Sequence, residues 1–430
     1  MTAQAALSRR LGTADAVVIG LGLMIGAGVF SAFAPAAAAA GSGLLIGLGL
    51  AAGVAYCNAV ASAQLAAQYP TSGGTYVYGR ERLGDWWGFL AGWGFVVGKT
   101  ASCAAMALTF ASYAVPGSWW AQRLAALLAV GALTAANYRG ITRTAGLARV
   151  LVAASIAALV VVVTAILAGG EASTANLDLG GSAGLGSGGA YGVVQAAALL
   201  FFAFAGYARI ATLGEEVRDP ERTIPRAIPA ALGITVALYT AVAVACLLAA
   251  GPDALAASTA PLTTAAKAAG SAWAVPVVRV GAAVASLGAL LALIAGVGRT
   301  ALAMGRNRDL PRWLADVHPR HHIPGHAELA VAAVVSVLVL TTDLRGAIGF
   351  SSFGVLTYYA IANAAAFTQT PEHRRWPRAL NVVGLVACLA LIVAVPVSAI
   401  LVGIGVFAVG LLGRLAATRT RLGVRRRATL

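Results

Sequence analysis

The chain has 430 residues, 60% of them hydrophobic and only 10% charged, with a mean hydropathy of +0.84. Soluble domains carry roughly a quarter charged residues, so an ordinary water-soluble enzyme is excluded and a polytopic membrane protein is expected. The 30 basic and 15 acidic residues leave a net charge of +15, which in a soluble chain would suggest nucleic acid or another polyanion as partner.

A bilayer-spanning helix takes about 20 apolar residues. In chain order, apolar runs of that size are read at 14–36, 43–66, 86–112, 121–138, 146–169, 190–213, 228–250, 274–303, 327–342, 346–368, 379–395 and 397–414. With a cytoplasmic N-terminus, 24 arginines fall on the cytoplasmic side, among them Arg9, Arg10, Arg80, Arg139, Arg218, Arg306, Arg374 and Arg425. The exterior keeps four basic residues, Arg123, Lys267, Arg279 and Arg345, while Lys99 and Arg209 lie within the membrane. This asymmetry follows the positive-inside rule and predicts an even number of spans in the plasma (inner) membrane, with both termini cytoplasmic. The positive charge is therefore an orientation signal spread over alternate loops, and no nucleic-acid partner is expected. Membrane lipids are, and the tail Arg425, Arg426 and Arg427 suits anionic headgroups.

The first run superficially resembles a cleavable signal peptide, but it is too long and contains a glycine cluster. Cys57, Cys103, Cys246 and Cys388 fall in separate spans, without the spacing of a disulfide framework or metal site. His318, His321, His322 and His326 cluster in an arginine-rich cytoplasmic loop where no glutamate or cysteine completes a ligand set, and no metal is expected there. Trp86, Trp87, Trp93, Trp119 and Trp120 lie near span ends and read as interfacial anchors. The Gly- and Ser-rich segment 170–189 reads as a flexible exterior loop.

Two spans contain interruptions that a straight helix would not choose. Glycines at 20, 22, 26 and 28 precede Pro35 in the first, and Gly206 sits within an aromatic cluster in the sixth, about 180 residues later. Each interior glycine costs a helix up to about 1 kcal/mol relative to alanine. The placement predicts an inverted repeat of five plus five helices, with the first helix of each half broken around a midplane site. Amides at one half-helix N-terminus attract an anion and carbonyls of the other attract an ammonium group, a pairing suited to an α-amino acid. Alternatively, the Gly22 and Gly26 spacing serves close helix packing; it does not fit a dinucleotide fingerprint.

At these residues the chain resembles the amino acid, polyamine and organocation permeases. Ile25-Gly26-Ala27-Gly28-Val29-Phe30 resembles that family's first-helix motif. Phe201-Phe202-Ala203-Phe204-Ala205-Gly206-Tyr207, with residues 211–228 after it, resembles its sixth helix and following loop. Tyr69-Pro70 with Gly73-Gly74-Thr75-Tyr76, and Arg299 with residues 306–311, match further. The resemblance implies an all-α leucine-transporter-like fold of about 12 spans working by alternating access. The substrate carboxylate would meet amides at Ile25, Gly26, Ala27 and Gly28. The amine would meet carbonyls at Phe202, Ala203 and Phe204, beside Gly206, with Phe202 or Phe204 as an aromatic lid. One transmembrane domain is expected: tail 1–13, repeats 14–169 and 190–368, accessory helices 379–414 and a basic tail 415–430. The chain departs from its relatives at Ala208, where many have glutamate, and at Ser155, where proton-coupled members often carry a lysine in place of a sodium ion.

Ser155 directs attention to Lys99, alone in mid-span in Gly98-Lys99-Thr100-Ala101-Ser102. A charge at the bilayer centre costs at least about 2.5–3.5 kcal/mol and marks function by default. Lys99 either stands in for a cation and carries a coupled proton, donates statically to carbonyls of a broken helix, or snorkels to an interface. Arg209 is expected to pair with Glu215 or Glu216, and Ser351 and Ser352 either line the permeation path or bond to backbone. The lack of mid-span acids tilts the substrate toward neutral amino acids, although aromatic rings also hold cations. An intramembrane enzyme would need a nucleophile with a base, a metal set or paired acids, and no P-loop indicates a pump. A secondary amino acid transporter is expected, with the proton as coupling ion ahead of sodium and no cofactor. An exchanger or exporter of amino acids or polyamines is the alternative, a receptor a distant one; the oligomeric state stays open.

Overall fold

A computed structural model describes residues 11–71, 73–139, 145–170, 172–178, 188–214, 216–318 and 323–428. Among these the secondary structure is helical, apart from an isolated bridge between Leu11 and Val217. The first span is α1 (Thr13–Met24), α2 (Ala27–Ser31) and α3 (Phe33–Ala40), followed by α4 (Leu44–Gln68), α5 (Thr75–Leu83), α6 (Asp85–Ala114), α7 (Trp119–Tyr138) and α8 (Ala145–Ala168). The second half runs α9 (Gly189–Phe204), α10 (Ala208–Ala211), α11 (Pro220–Ala256), α12 (Pro261–Ala268), α13 (Val275–Arg306), α14 (Gly325–Thr341) and α15 (Leu344–Phe367). The chain ends in α16 (Arg378–Ala394) and α17 (Val397–Ala428).

Eight helical segments among the described residues are long and apolar enough to cross a membrane. The other expected spans coincide with α14 and α16, of 17 residues each, and with the more polar α7 and α15. The apolar runs understate several helices. α11 starts at Pro220, because prolines 225 and 229 are carried in its first turns, and bends where Gly251 takes φ +72°. The short α5 and α12 lie in segments read as connections.

Helix neighbours repeat between the halves. α4 packs on α9 as α11 packs on α3; α6 packs on α15 as α13 packs on α8; α6 meets α7 as α13 meets α14. The pairs α4 with α11, α6 with α13 and α7 with α14 map onto themselves. Two five-helix repeats exchanged by a pseudo-two-fold axis produce this pattern. Small residues permit the close crossings. A Cβ on Gly354 of α15 would lie 2.8 Å from Gly98 Cα of α6, the kind of backbone approach that packs membrane helices.

In the segment read as a flexible exterior loop, the described residues 172–178 are docked. Ser173 N and Asn176 Nδ2 donate to Leu248 O at 2.9 and 3.0 Å, and Ser42 Oγ donates to Asn176 O at 2.7 Å. Asn176 supplies partners that composition does not reveal.

Candidate functional site

Both expected interruptions are present. α1 ends at Met24, Gly26 takes φ −55° and ψ −134°, and α2 restarts at Ala27; Ala32 is helical, so α2 runs on into α3. In the sixth span α9 ends at Phe204, residues 205–207 form a single 3₁₀ turn, and α10 follows. The first amides of α2 and the last carbonyls of α1 and α9 are thereby released from regular helix pairing.

The two breaks cross in direct contact. A Cβ on Gly28 would lie 2.5 Å from Ala203 Cβ, and one on Gly206 2.5 Å from Met24 N. Gly28 and Gly206 therefore serve close packing as well as the break; of the pair read as a packing motif, Gly22 faces Val152 of α8 and Gly26 faces Ala289 of α13. Ile25, Gly26, Ala27, Gly28, Phe202, Ala203 and Phe204 are buried, and Gly206 is half-buried. Residues two apart on a helix point roughly 200° apart, so Phe202 and Phe204 cannot both cover one site. Phe204 packs its ring 5.1 Å from that of Tyr239 and is fully buried, whereas Phe202 keeps 7% exposure.

Lys99 reaches this crossing from α6. It is 5% exposed and its Nζ donates to Ala205 O at 3.0 Å, inside the turn that interrupts the sixth span. The geometry is that of a donor to a broken helix, and burial leaves no room for snorkelling. Ser155 on α8 turns its hydroxyl to Leu151 O of its own helix. Ser351 lies 2.6 Å from Ser102 Oγ of α6, three residues beyond Lys99.

Tyr239 on α11 belongs to the site although its sequence context, a tyrosine in an Ala- and Val-rich run, does not single it out. Its hydroxyl donates to Met24 O and lies 3.1 Å from Ala203 O, spanning the carbonyl ends of both broken helices.

Hydrogen bonds join the segments that flank the crossing. On one side Leu11 N donates to Glu216 O at 3.1 Å and Arg218 N to Leu11 O at 2.9 Å, while Arg209 sits 3.5 Å from Glu216 Oε1. Glu216 is thus the described partner of Arg209; Glu215 lies outside the described residues, as do His321 and His322. On the other side Tyr113 donates to Phe30 O at 2.7 Å and accepts from Leu262 N of α12 at 3.3 Å. One buried acid is also found that the apolar-run reading passes over. Glu328, 2% exposed, sits in the first turn of α14, where helix amides favour negative charge.

Residues 11–411 match the family model described as amino acid permease. An uncharacterized transporter of Mycobacterium tuberculosis (strain ATCC 25618 / H37Rv) is 60% identical over 404 residues, covering 94% of this chain and 90% of the relative. The branched-chain amino acid permease BcaP of Bacillus subtilis (strain 168) is 26% identical, covering 88% and 84%. Cationic amino acid transporter 7, chloroplastic, of Arabidopsis thaliana is 29% identical, covering 84% and 65%. The chain accordingly belongs to the amino acid permease family, as a multi-pass membrane transporter and not an enzyme.

Proposed function

We propose that this protein moves amino acids across the plasma membrane by alternating access, coupled to protons, with both termini cytoplasmic. The observation that carries the reading is the contact of two interrupted helices, with Gly28 of one against Ala203 of the other. The α2 amides at Gly26, Ala27 and Gly28 suit a carboxylate, and the α9 carbonyls at Phe202, Ala203 and Phe204 suit an amine. Gly206 and Phe202, the least enclosed of these residues, mark the side on which the substrate sits. Bonds on both flanks of the crossing fit a cycle in which one set breaks while the other holds. The relatives' names include branched-chain and cationic amino acid transporters. The scarcity of acids near the breaks favours neutral substrates here.

Lys99 supplies the proton. Its ammonium holds the interrupted sixth span through Ala205 O, and loss of a proton would weaken that bond and free the turn to move. Exchange without net proton movement is the second reading, favoured by the same bond, which a fixed structural donor would also make. The readings separate in liposomes containing the Lys99→Ala variant. Coupling predicts that accumulation driven by external acid falls at least tenfold while counterflow at equal pH stays within about threefold of wild type. Undiminished acid-driven accumulation in the variant would overturn the coupling role.

A further inference from the structure

Polar groups without partners are costly in a membrane interior, yet several lie beside the interrupted sixth span. Ser352, Tyr359 and Asn363 share one face of α15 by helical spacing, and each is fully buried. Asn363 Nδ2 donates to Asn58 Oδ1 of α4 at 2.6 Å, and Tyr207 sets its ring 5.2 Å from that of Tyr359. After these contacts Ser352 Oγ and Asn363 Oδ1 remain without a protein partner, and the hydroxyls of Tyr207 and Tyr359 meet only each other and the Asn58 amide, which leaves each with hydrogen-bonding capacity to spare. Gly384 of α16 makes room for them, since a Cβ there would lie 2.4 Å from Asn363 Oδ1.

The run continues to the surface. Gln369 Nε2 donates to Gln68 Oε1 at 2.7 Å, and Gln64 Oε1 accepts from Arg375 N at 3.2 Å, where Arg375 is exposed. Gln64 Nε2 and Gln369 Oε1 again lack partners. At the inner end, Tyr207 belongs to the turn whose Ala205 O receives Lys99, and Ser351 meets Ser102 beside it.

We propose that this seam between α4, the 205–207 turn, α15 and α16 is a hydrated proton path joining Lys99 to the cytoplasm. The inference rests on the proton-coupled reading above. Donors and acceptors with hydrogen-bonding capacity to spare lie along the seam, and water, which donates and accepts, matches both. The Lys99 ammonium releases one proton to this chain and becomes a neutral amine. One proton leaves at the Gln68 and Arg375 end, and nothing else is consumed. The titratable and charged groups facing the route are Tyr207, Tyr359, Tyr358 with its ring 5.1 Å from that of Tyr359, Cys388, whose Sγ donates to Asn58 Oδ1 at 3.3 Å, Cys57 near Cys388, Cys103 beside Lys99, and Arg374, which donates to Gln369 O at the outer end; none must ionise, because hydroxyls, thiols and amides only hold the water.

The test uses the full-length protein in liposomes, reading proton movement with an internal pH dye during amino acid uptake, and amino acid counterflow at equal pH. Tyr207→Phe combined with Tyr359→Phe removes two hydroxyls and little volume; Asn363→Leu serves as a second, independent variant. The path predicts at least tenfold slower coupled proton and amino acid uptake in both, with counterflow within twofold of wild type. Unchanged proton uptake would overturn it, as would equal loss of uptake and counterflow, which marks a packing role. A wild-type protein that moves no protons with its substrate refutes the coupling reading itself, and the path with it.

Discussion

At the scale of single residues, the site depends on atoms that are missing as much as on atoms that are present. Without a Cβ at Gly28, α2 can touch Ala203 of α9; with one, an atom would sit 2.5 Å from Ala203 Cβ and 2.6 Å from its Cα. These are backbone and Cβ atoms that cannot swing aside. Gly28→Val is therefore expected to separate the breaks and reduce amino acid counterflow at least a hundredfold, while the variant still elutes as a folded protein in detergent. Counterflow near the wild-type rate would show that the crossing is not the transport site. Tyr239 and Lys99 act on the same crossing through carbonyl oxygens, Met24 O and Ala203 O for one and Ala205 O for the other. Lys99 is legible in the sequence because a lone cation in an apolar run is too costly in a bilayer to be incidental. Tyr239, Asn58 and Asn363 are not, since a neutral polar side chain in a span carries no mark of which carbonyl or amide it will meet.

At the scale of elements, a buried ionic knot joins pieces far apart in the chain. Asp309 follows α13 with its side chain 5% exposed; it accepts from Tyr76 at 2.8 Å and Arg80 at 3.0 Å, both on α5, and lies 3.4 Å from Arg414 of α17. Arg414 in turn stacks over Trp86 and Phe89 and donates to Asp85 O at 2.7 Å. Removing one partner of a buried ion pair costs about 3–5 kcal/mol because the other charge is left uncompensated, so Asp309→Asn should lower thermal stability sharply. Burial first, and then the Asp309 carboxylate, push the Tyr76 phenol up to about 12. An unfolded tyrosine titrates near pH 10, so the folded state holds this proton more tightly. The associated stability is full below about pH 10 and is lost as pH rises toward 12. Tyr76→Phe should flatten that alkaline decline in melting temperature; an unaltered slope would contradict the assignment. The resemblance marked Tyr76 and Asp309 as separate motifs, but nothing in either motif shows that they meet. The helix breaks were legible because glycine interrupts otherwise uniform apolar runs. The short α5 was not, because a nine-residue polar helix is held by tertiary contacts such as this knot and not by its own pattern.

At the scale of the whole molecule, two repeats exchange helix neighbours, and each contributes one interrupted helix to a shared crossing. On the proposed reading that arrangement places the binding groups on backbone atoms, which would let a chain with only 10% charged residues hold a zwitterion in its interior. Length and hydropathy suffice to expect a helical membrane protein, and charge distribution to expect its orientation. Which helices touch depends on complementary small surfaces, such as Gly98 against Gly354, that become meaningful only when paired. The central claim, that a free carboxylate and a free amine are both held at the crossing, is tested most directly by counterflow in liposomes. A panel of neutral amino acids would be compared with their amides and their N-acetyl derivatives. The account predicts trans-acceleration by one or more free amino acids and at least a hundredfold loss when either end is blocked; equal exchange of blocked and free forms, or none by any free amino acid, would contradict it.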